Sequence, residues 1–250
     1  MTTRQNILIT GASSGLGRGM AREFAAMGRN LALCARRVDR LEELKAELET
    51  AHPGIKVVIR PLDVNDYDAV FETFKAFRAD LGSIDRVIVN AGMGKGQPLG
   101  TGYFWANRET AETNFVAALA QCEAAMEIFR DQNNGHLVMI SSMSAMRGMP
   151  KNLTTYAATK AGVAALTEGI RCEMIGKPIK VSTIYPGYIR SEINEKVKNT
   201  PFMVDTETGC RLLAKAIEKE PAEANVPAWP WNLLGFAMRH MPLAWVKKMA

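Results

Sequence analysis

A short apolar run, Asn6–Thr10 (NILIT), stops at Gly11-Ala12-Ser13-Ser14-Gly15-Leu16-Gly17, and a helical pattern then continues to about Met27. This order of strand, glycine-rich turn and helix constrains the fold more than any other stretch. An apolar run without polar alternation reads as a parallel strand buried on both faces. Gly11, Gly15 and Gly17 let the backbone turn tightly and approach an anion, whose charge then sits at the helix N-terminus. Three glycines alone say little. Between a strand and a helix they predict a dinucleotide site.

The alternation continues in the same rhythm. Strands are expected at Asn30–Ala35, Lys56–Arg60, Ile84–Asn90, Gly135–Ser141 and Ile179–Tyr185, with a short seventh at Ala224–Ala228. Between them lie helical patterns at Val38–Ala51, Asp66–Leu81, Arg108–Arg130 and Thr206–Lys219, and a further helix carrying Tyr156 and Lys160 to about Met174. Strands alternating with helices at this spacing imply a parallel sheet with right-handed crossovers. No linker or repeat interrupts the 250 residues, so residues 1–250 read as one domain.

Composition narrows the class. The chain is 47% hydrophobic and 23% charged, normal for a globular protein with a sizeable core. Its net charge of +5 is spread without a basic run, which argues against nucleic acid as a partner. Cys34, Cys122, Cys172 and Cys210 are far apart and form no CxxC pair, so they read as reduced thiols, neither disulfides nor metal ligands. The strand pattern begins almost at once, leaving no room for a signal peptide, and no apolar run reaches the ~20 residues of a membrane span. A cytoplasmic protein is expected.

Three groups of residues carry chemistry. The second strand ends Cys34-Ala35-Arg36-Arg37, where folds preferring NAD usually place an acid for the ribose 2′-hydroxyl. Adjacent arginines suit a 2′-phosphate, which a guanidinium binds in a bidentate manner; the bland alternative is that both merely begin the next helix. NADP(H) is therefore favoured over NAD(H). Asn90-Ala91-Gly92 sits where a fourth strand ends, the edge at which open α/β sheets bind ligands, and the flexible loop Gly92–Gly102 follows. Tyr156 and Lys160 are four apart on a helix and so share a face. A tyrosine has an ordinary pKa of about 10, and a nearby ammonium is expected to lower it toward the working pH. An isolated YxxxK pair is more often one packed tyrosine and one solvated lysine.

Taken together, TGASSGLG, LDV, VNAG, Asn114, ISS, YAATK and YPGYIRSE follow one another in order and at familiar spacings. They resemble the single-domain short-chain dehydrogenase/reductase family over nearly the whole chain. The resemblance implies a Rossmann-like, doubly wound, seven-stranded, mostly parallel sheet with helices on both faces, a nicotinamide cofactor, and interconversion of an alcohol and a carbonyl by hydride transfer. It implies Tyr156 as acid/base, Lys160 as its activator, Ser142 as the carbonyl-orienting hydroxyl, and Asn114 positioning a water behind Lys160. In many relatives the serine stands one place later relative to the tyrosine, where this chain has Met143; Ser142 is preferred over Ser141 and Ser144, with one extra residue in the Pro150–Thr155 turn. For the cofactor, the resemblance implies Ser13, Ser14 and Leu16 at the pyrophosphate, Asp63 and Val64 at the adenine, and Asn90 and Ala91 on the adenosine side. It implies Pro186, Gly187 and Ile189 at the nicotinamide amide, with Ser191 nearby, and a substrate loop over residues 190–205.

Met93, Met143, Met146, Met149, Met203 and Phe202 sit in loops expected near the substrate, pointing to a bulky apolar carbonyl or alcohol of steroid, lipid or aromatic type; simple packing is the competing account. The tail Pro227–Ala250 joins three tryptophans with Arg239, His240, Lys247 and Lys248. It reads as a cover for a subunit interface or substrate mouth, within an expected homodimer or homotetramer; peripheral membrane contact is the alternative. The rival function is a non-catalytic NADP(H)-binding redox sensor, against which Asn114, Ser142, Tyr156 and Lys160 stand together.

Overall fold

A computed structural model describes residues 3–94, 96–192 and 202–248. Seven parallel strands form a single sheet in the order β3-β2-β1-β4-β5-β6-β7. They are β1 (Asn6–Thr10), β2 (Asn30–Ala35), β3 (Val57–Pro61), β4 (Arg86–Val89), β5 (Gly135–Ile140), β6 (Ile179–Pro186) and β7 (Glu223–Val226). Because side chains alternate across a strand, each strand feeds two cores. Ile7 and Ile9, Leu31 and Leu33, Ile88, and Val138 and Ile140 face one side. Leu8, Ala32, Val87, Val89, Leu137 and Met139 face the other.

Helices cover both sides. On the first lie α1 (Gly15–Ala26), α2 (Val38–Ala51) and α7 (Thr206–Glu218), contributing Phe24, Leu41, Leu44, Leu213 and Ile217. On the second lie α3 (Tyr67–Leu81), α5 (Ala117–Gln132) and α6 (Thr154–Glu173), contributing Phe74, Phe77, Phe129 and Val163. Each such buried side chain stabilises the fold by roughly 1.5–3 kcal/mol. Asp66 caps α3 by accepting from Ala69 N–H at 3.1 Å, and Asp205 caps α7 by accepting from Thr208 N–H at 2.7 Å.

Several boundaries differ from expectation. The helix expected at Arg108–Arg130 begins earlier, as α4 (Phe104–Ala111), and passes through a wide π turn, Glu112–Val116, into α5. That turn contains Asn114, whose side chain bonds outside the helix. β4 is shorter than Ile84–Asn90, leaving Asn90 beyond the ladder, and β3 lies one residue later than expected. β7 ends at Val226 because Pro227 N-caps α8 (Ala228–His240), which is followed by α9 (Leu243–Lys248). The tail is therefore helical as far as Lys248, with Met249, Ala250 and the middle of the expected substrate loop (193–201) outside the described residues.

At the edge where the strands begin, Arg86 is buried to 1% exposure. Its Nε donates to His136 Nδ1 at 2.9 Å, and it forms an ion pair with Glu218. Arg4 joins Glu220 at 2.7 Å and Arg29 joins Glu218 at 3.0 Å, tying α7 and the turn after it to the base of the sheet. An arginine can only donate, so His136 Nδ1 is the acceptor and Nε2 carries the proton. Nε2 then donates to Ser182 Oγ at 2.8 Å, and Ser182 donates to the Pro221 carbonyl.

Candidate active site

At the opposite edge, where the strands end, a cleft of about 440 Å³ opens. The turn after β1 forms its floor. Gly11 has φ +66°, and a Cβ there would stand 2.9 Å from Ala91 Cα. Gly17 does not line the cleft; its missing side chain lets α1 approach the turn, since a Cβ would meet the Gly11 carbonyl oxygen at 2.3 Å. Asn90 clamps the turn from β4 by donating through Nδ2 to the Thr10 carbonyl at 2.9 Å. Thr10 Oγ1 in turn accepts from the Asn90 and Ala91 amides at 3.1 Å each. The N-cap residue Ser14 makes no side-chain cap on α1, and no acid sits in the first turn of that helix. Its amide ends are thus available to an anion.

The cleft gathers the expected residues from seven segments. Ser13, Ser14, Gly15 and Leu16 come from the turn; Arg36 and Arg37 from the end of β2; Asp63 and Val64 from beyond β3. Asn90, Ala91 and Gly92 follow β4; Ser142, Tyr156 and Lys160 come from β5 and α6; Pro186, Gly187, Ile189 and Ser191 follow β6. Asn114 is buried behind this wall, holding Met93, which lines the cleft.

The two arginines differ. Arg37 turns inward: its Nε donates to Ser13 Oγ at 3.2 Å and its Nη2 to Ser14 Oγ at 2.6 Å. Arg36 is 73% exposed and 4.0 Å from Asp63. Glu192 also lines the cleft and pairs with Arg37 at 3.1 Å and Arg40 at 2.6 Å. It closes the motif YPGYIRSE, and nothing in that motif assigns it a partner until the fold sets it against Arg40 of α2.

Lys160 is buried, and its Nζ donates to the Ile140 carbonyl at 2.9 Å. Burial lowers its pKa to about 8. The ammonium stands 5.9 Å from the centroid of the Tyr156 ring. Tyr156 differs from expectation: burial raises the phenol pKa, and Tyr188 adds to this, while a hydrogen bond with Ser142 opposes it. Desolvation of the phenolate outweighs an ammonium turned toward a backbone carbonyl. Ser142 also accepts from Ser144 N–H at 3.1 Å, while Ser141 is committed to the Lys160 carbonyl at 2.8 Å. Ser144 does not line the cleft; of the two candidate serines that do, Ser141 spends its hydroxyl on the Lys160 carbonyl, while the Ser142 hydroxyl acts to lower the Tyr156 pKa.

Helix α8 closes the side beyond Tyr188. Trp231 is buried, meets Tyr188 edge-on at 5.6 Å, and packs so closely that a Cβ on Gly187 would come within 2.2 Å of its ring. Met143 and Met146 pack beneath this helix, so of the expected substrate-side methionines it is Met93 that lines the cleft.

These residues fit a phosphate-bearing dinucleotide: a glycine cradle that Cβ atoms would fill, an uncapped helix N-terminus, and a guanidinium with two hydroxyls already holding a carboxylate. Comparisons agree. A family model described as short chain dehydrogenase matches residues 5–201. An uncharacterized oxidoreductase of Mycobacterium tuberculosis is 53% identical over 248 residues, covering 99% of this chain and 98% of the relative. An alcohol dehydrogenase from the archaeon Thermococcus sibiricus, solved with 5-hydroxy-NADP, superposes with TM-score 0.78 at 26% identity, covering 88% of this chain and 95% of that one. A short chain dehydrogenase/reductase from Burkholderia phymatum, solved with NAD, has TM-score 0.86 at 21% identity over 98% and 96% of the two chains, a likeness of fold alone.

Proposed function

The chain belongs to the short-chain dehydrogenase family, and from that premise we propose that this oxidoreductase interconverts a carbonyl and a secondary alcohol with NADP(H). The observation carrying the reading is that Tyr156, Ser142 and Lys160 meet in the same cleft as the glycine turn and Arg37. When bound, the nicotinamide supplies the hydride in reduction and accepts it in oxidation.

The protein's part is orientation and proton movement. As negative charge grows on the carbonyl oxygen, the Tyr156 hydroxyl gives it a proton while the Ser142 hydroxyl holds the same atom. With the cofactor bound, Lys160 would bond its ribose, and its charge would favour the phenolate against the burial that raises the Tyr156 pKa. Asn114 fixes the Met93 wall and, in the reading taken from the family, positions a water behind Lys160. Ser13, Ser14 and Leu16 would hold the pyrophosphate through their backbone, Asp63 and Val64 would flank the adenine, and Pro186, Gly187 and Ile189 would hold the amide. Arg37 with Ser13 favours a 2′-phosphate, and the Thermococcus sibiricus enzyme's NADP derivative supports that choice.

Met93, which lines the same cleft as Tyr156, supports a bulky apolar substrate. Phe115, Val116 and Leu119 are exposed on the helix of Asn114, and Phe115 lies against Gly162 of α6. This supports homo-oligomer formation through those two helices. Trp229, Leu233, Phe236, Leu243 and Trp245 are exposed on α8 and α9. They favour a further subunit contact or a lid; liposome flotation with and without residues 227–250 tests the alternative of a membrane surface. No helix among the described residues is long and apolar enough to cross a membrane.

The test is NADPH consumption with a panel of apolar ketones and aldehydes. Steady turnover is expected and dismisses a non-catalytic sensor. No consumption with any member, by protein that binds NADPH, refutes the enzymatic reading.

A further inference from the structure

We propose that the Glu192 carboxylate is an internal anion that occupies the 2′-phosphate site and competes with the phosphorylated cofactor for Arg37. The inference rests on the NADP(H) reading of the cleft. Glu192 lines that cleft and reaches Arg37 Nη2 at 3.1 Å through one oxygen. Its other oxygen accepts from Arg40 Nη1 at 2.6 Å. The same Arg37 nitrogen donates to Ser14 Oγ at 2.6 Å, and its Nε donates to Ser13 Oγ at 3.2 Å. A guanidinium and two hydroxyls on a phosphate turn form a donor set for a tetrahedral dianion, and here a carboxylate holds it.

The carboxylate is fully charged at neutral pH. Hydrogen bonds from Arg40, then Arg37 and Ser14, hold its pKa down to about 2. Its hold on Arg37 is nevertheless exchangeable, because the two side chains are 41% and 50% exposed and such pairs are weak. A 2′-phosphate brings more charge and a third oxygen, so it displaces Glu192 from Arg37. Arg40, outside the cleft wall, retains the other oxygen, and the displaced carboxylate is not left without a cation. Before the cofactor arrives, Glu192 keeps the Arg37 guanidinium set against the turn. A dinucleotide lacking the 2′-phosphate offers Arg37 no such exchange. The carboxylate therefore taxes binding of the phosphorylated form alone.

Isothermal titration with 2′-phospho-ADP-ribose and ADP-ribose separates this effect from turnover. Glu192→Gln should bind 2′-phospho-ADP-ribose about two- to fivefold more tightly than the wild type, with ADP-ribose changed less than about twofold. A wild type that prefers the phosphorylated probe, paired with a variant that gains nothing or binds it more weakly, overturns this inference alone. A wild type that binds the two probes alike overturns the NADP(H) reading and this inference with it.

Discussion

Asn114 holds both backbone polar groups of Met93: its Oδ1 accepts the Met93 N–H and its Nδ2 donates to the Met93 carbonyl, each at 2.8 Å. The π turn places asparagine where it can reach sideways, and the side chain completes a strand-like pair with the loop. Asn114→Ala should release that wall and lower stability by about 1–3 kcal/mol. At this length that is roughly 2–12 °C in Tm. Thermal melting with and without NADPH checks it; an unchanged Tm would contradict the bracket's role.

Tyr156→Phe keeps the ring and removes the proton. Turnover with any active carbonyl should fall by about 10²–10⁴, while NADPH affinity by fluorescence titration stays within about twofold. Near-normal turnover would remove Tyr156 from the proton path.

Lys160 carries charge below about pH 8 and loses it above. If its ammonium bonds the ribose, kcat/KM for NADPH should fall as pH rises through about 8, and Lys160→Met should flatten that limb. A limb that persists in the variant belongs to another group.

Cofactor choice should depend more on Arg37 than on Arg36, since Arg37 meets the turn hydroxyls and Arg36 is largely in solvent beside Asp63. Arg37→Ala should weaken NADPH by about tenfold or more and NADH little, a loss in the range of a charge-assisted hydrogen bond. Arg36→Ala should have the smaller effect. Equal losses for both dinucleotides would count against a 2′-phosphate contact.

His136 is held neutral: burial, then Arg86, Arg4 and Lys180, push its pKa well down, against Glu220 at 3.7 Å. The unfolded chain takes up a proton near pH 6.5 that the folded chain refuses. Stability from this group is therefore full above about pH 6.5 and falls below it, by up to about 1.4 kcal/mol per pH unit. Urea unfolding at pH 7.5 and 5.0 should show a larger loss for the wild type than for His136→Asn. Equal losses would mean that the ring is protonated in the folded state.

The sheet was legible because apolar runs ending at glycine or asparagine admit few other folds, and β1, β2 and the turn between them lie where expected. The cleft residues were legible through the motifs that bracket them. The π turn was not, because one added residue shifts the helical phase by a single position, which one sequence does not reveal; only Asn114, an indifferent helix former, hinted at it. The raised pKa of Tyr156 was also hidden, since i,i+4 spacing gives proximity but not the direction in which Lys160 points. Glu192 and the Arg86–His136 pair are joined by long-range contacts that no local pattern encodes.

A parallel sheet has two unlike ends, and here the ionic knot around Arg86 occupies one while the cleft occupies the other. Substitutions separated by the length of the strands share no partners, and their free-energy effects add. Variants that strengthen the knot can therefore be combined with variants that reshape the cleft, each measured alone and summed. The fold separates durability from selectivity, and a laboratory could alter one while leaving the other at its starting value.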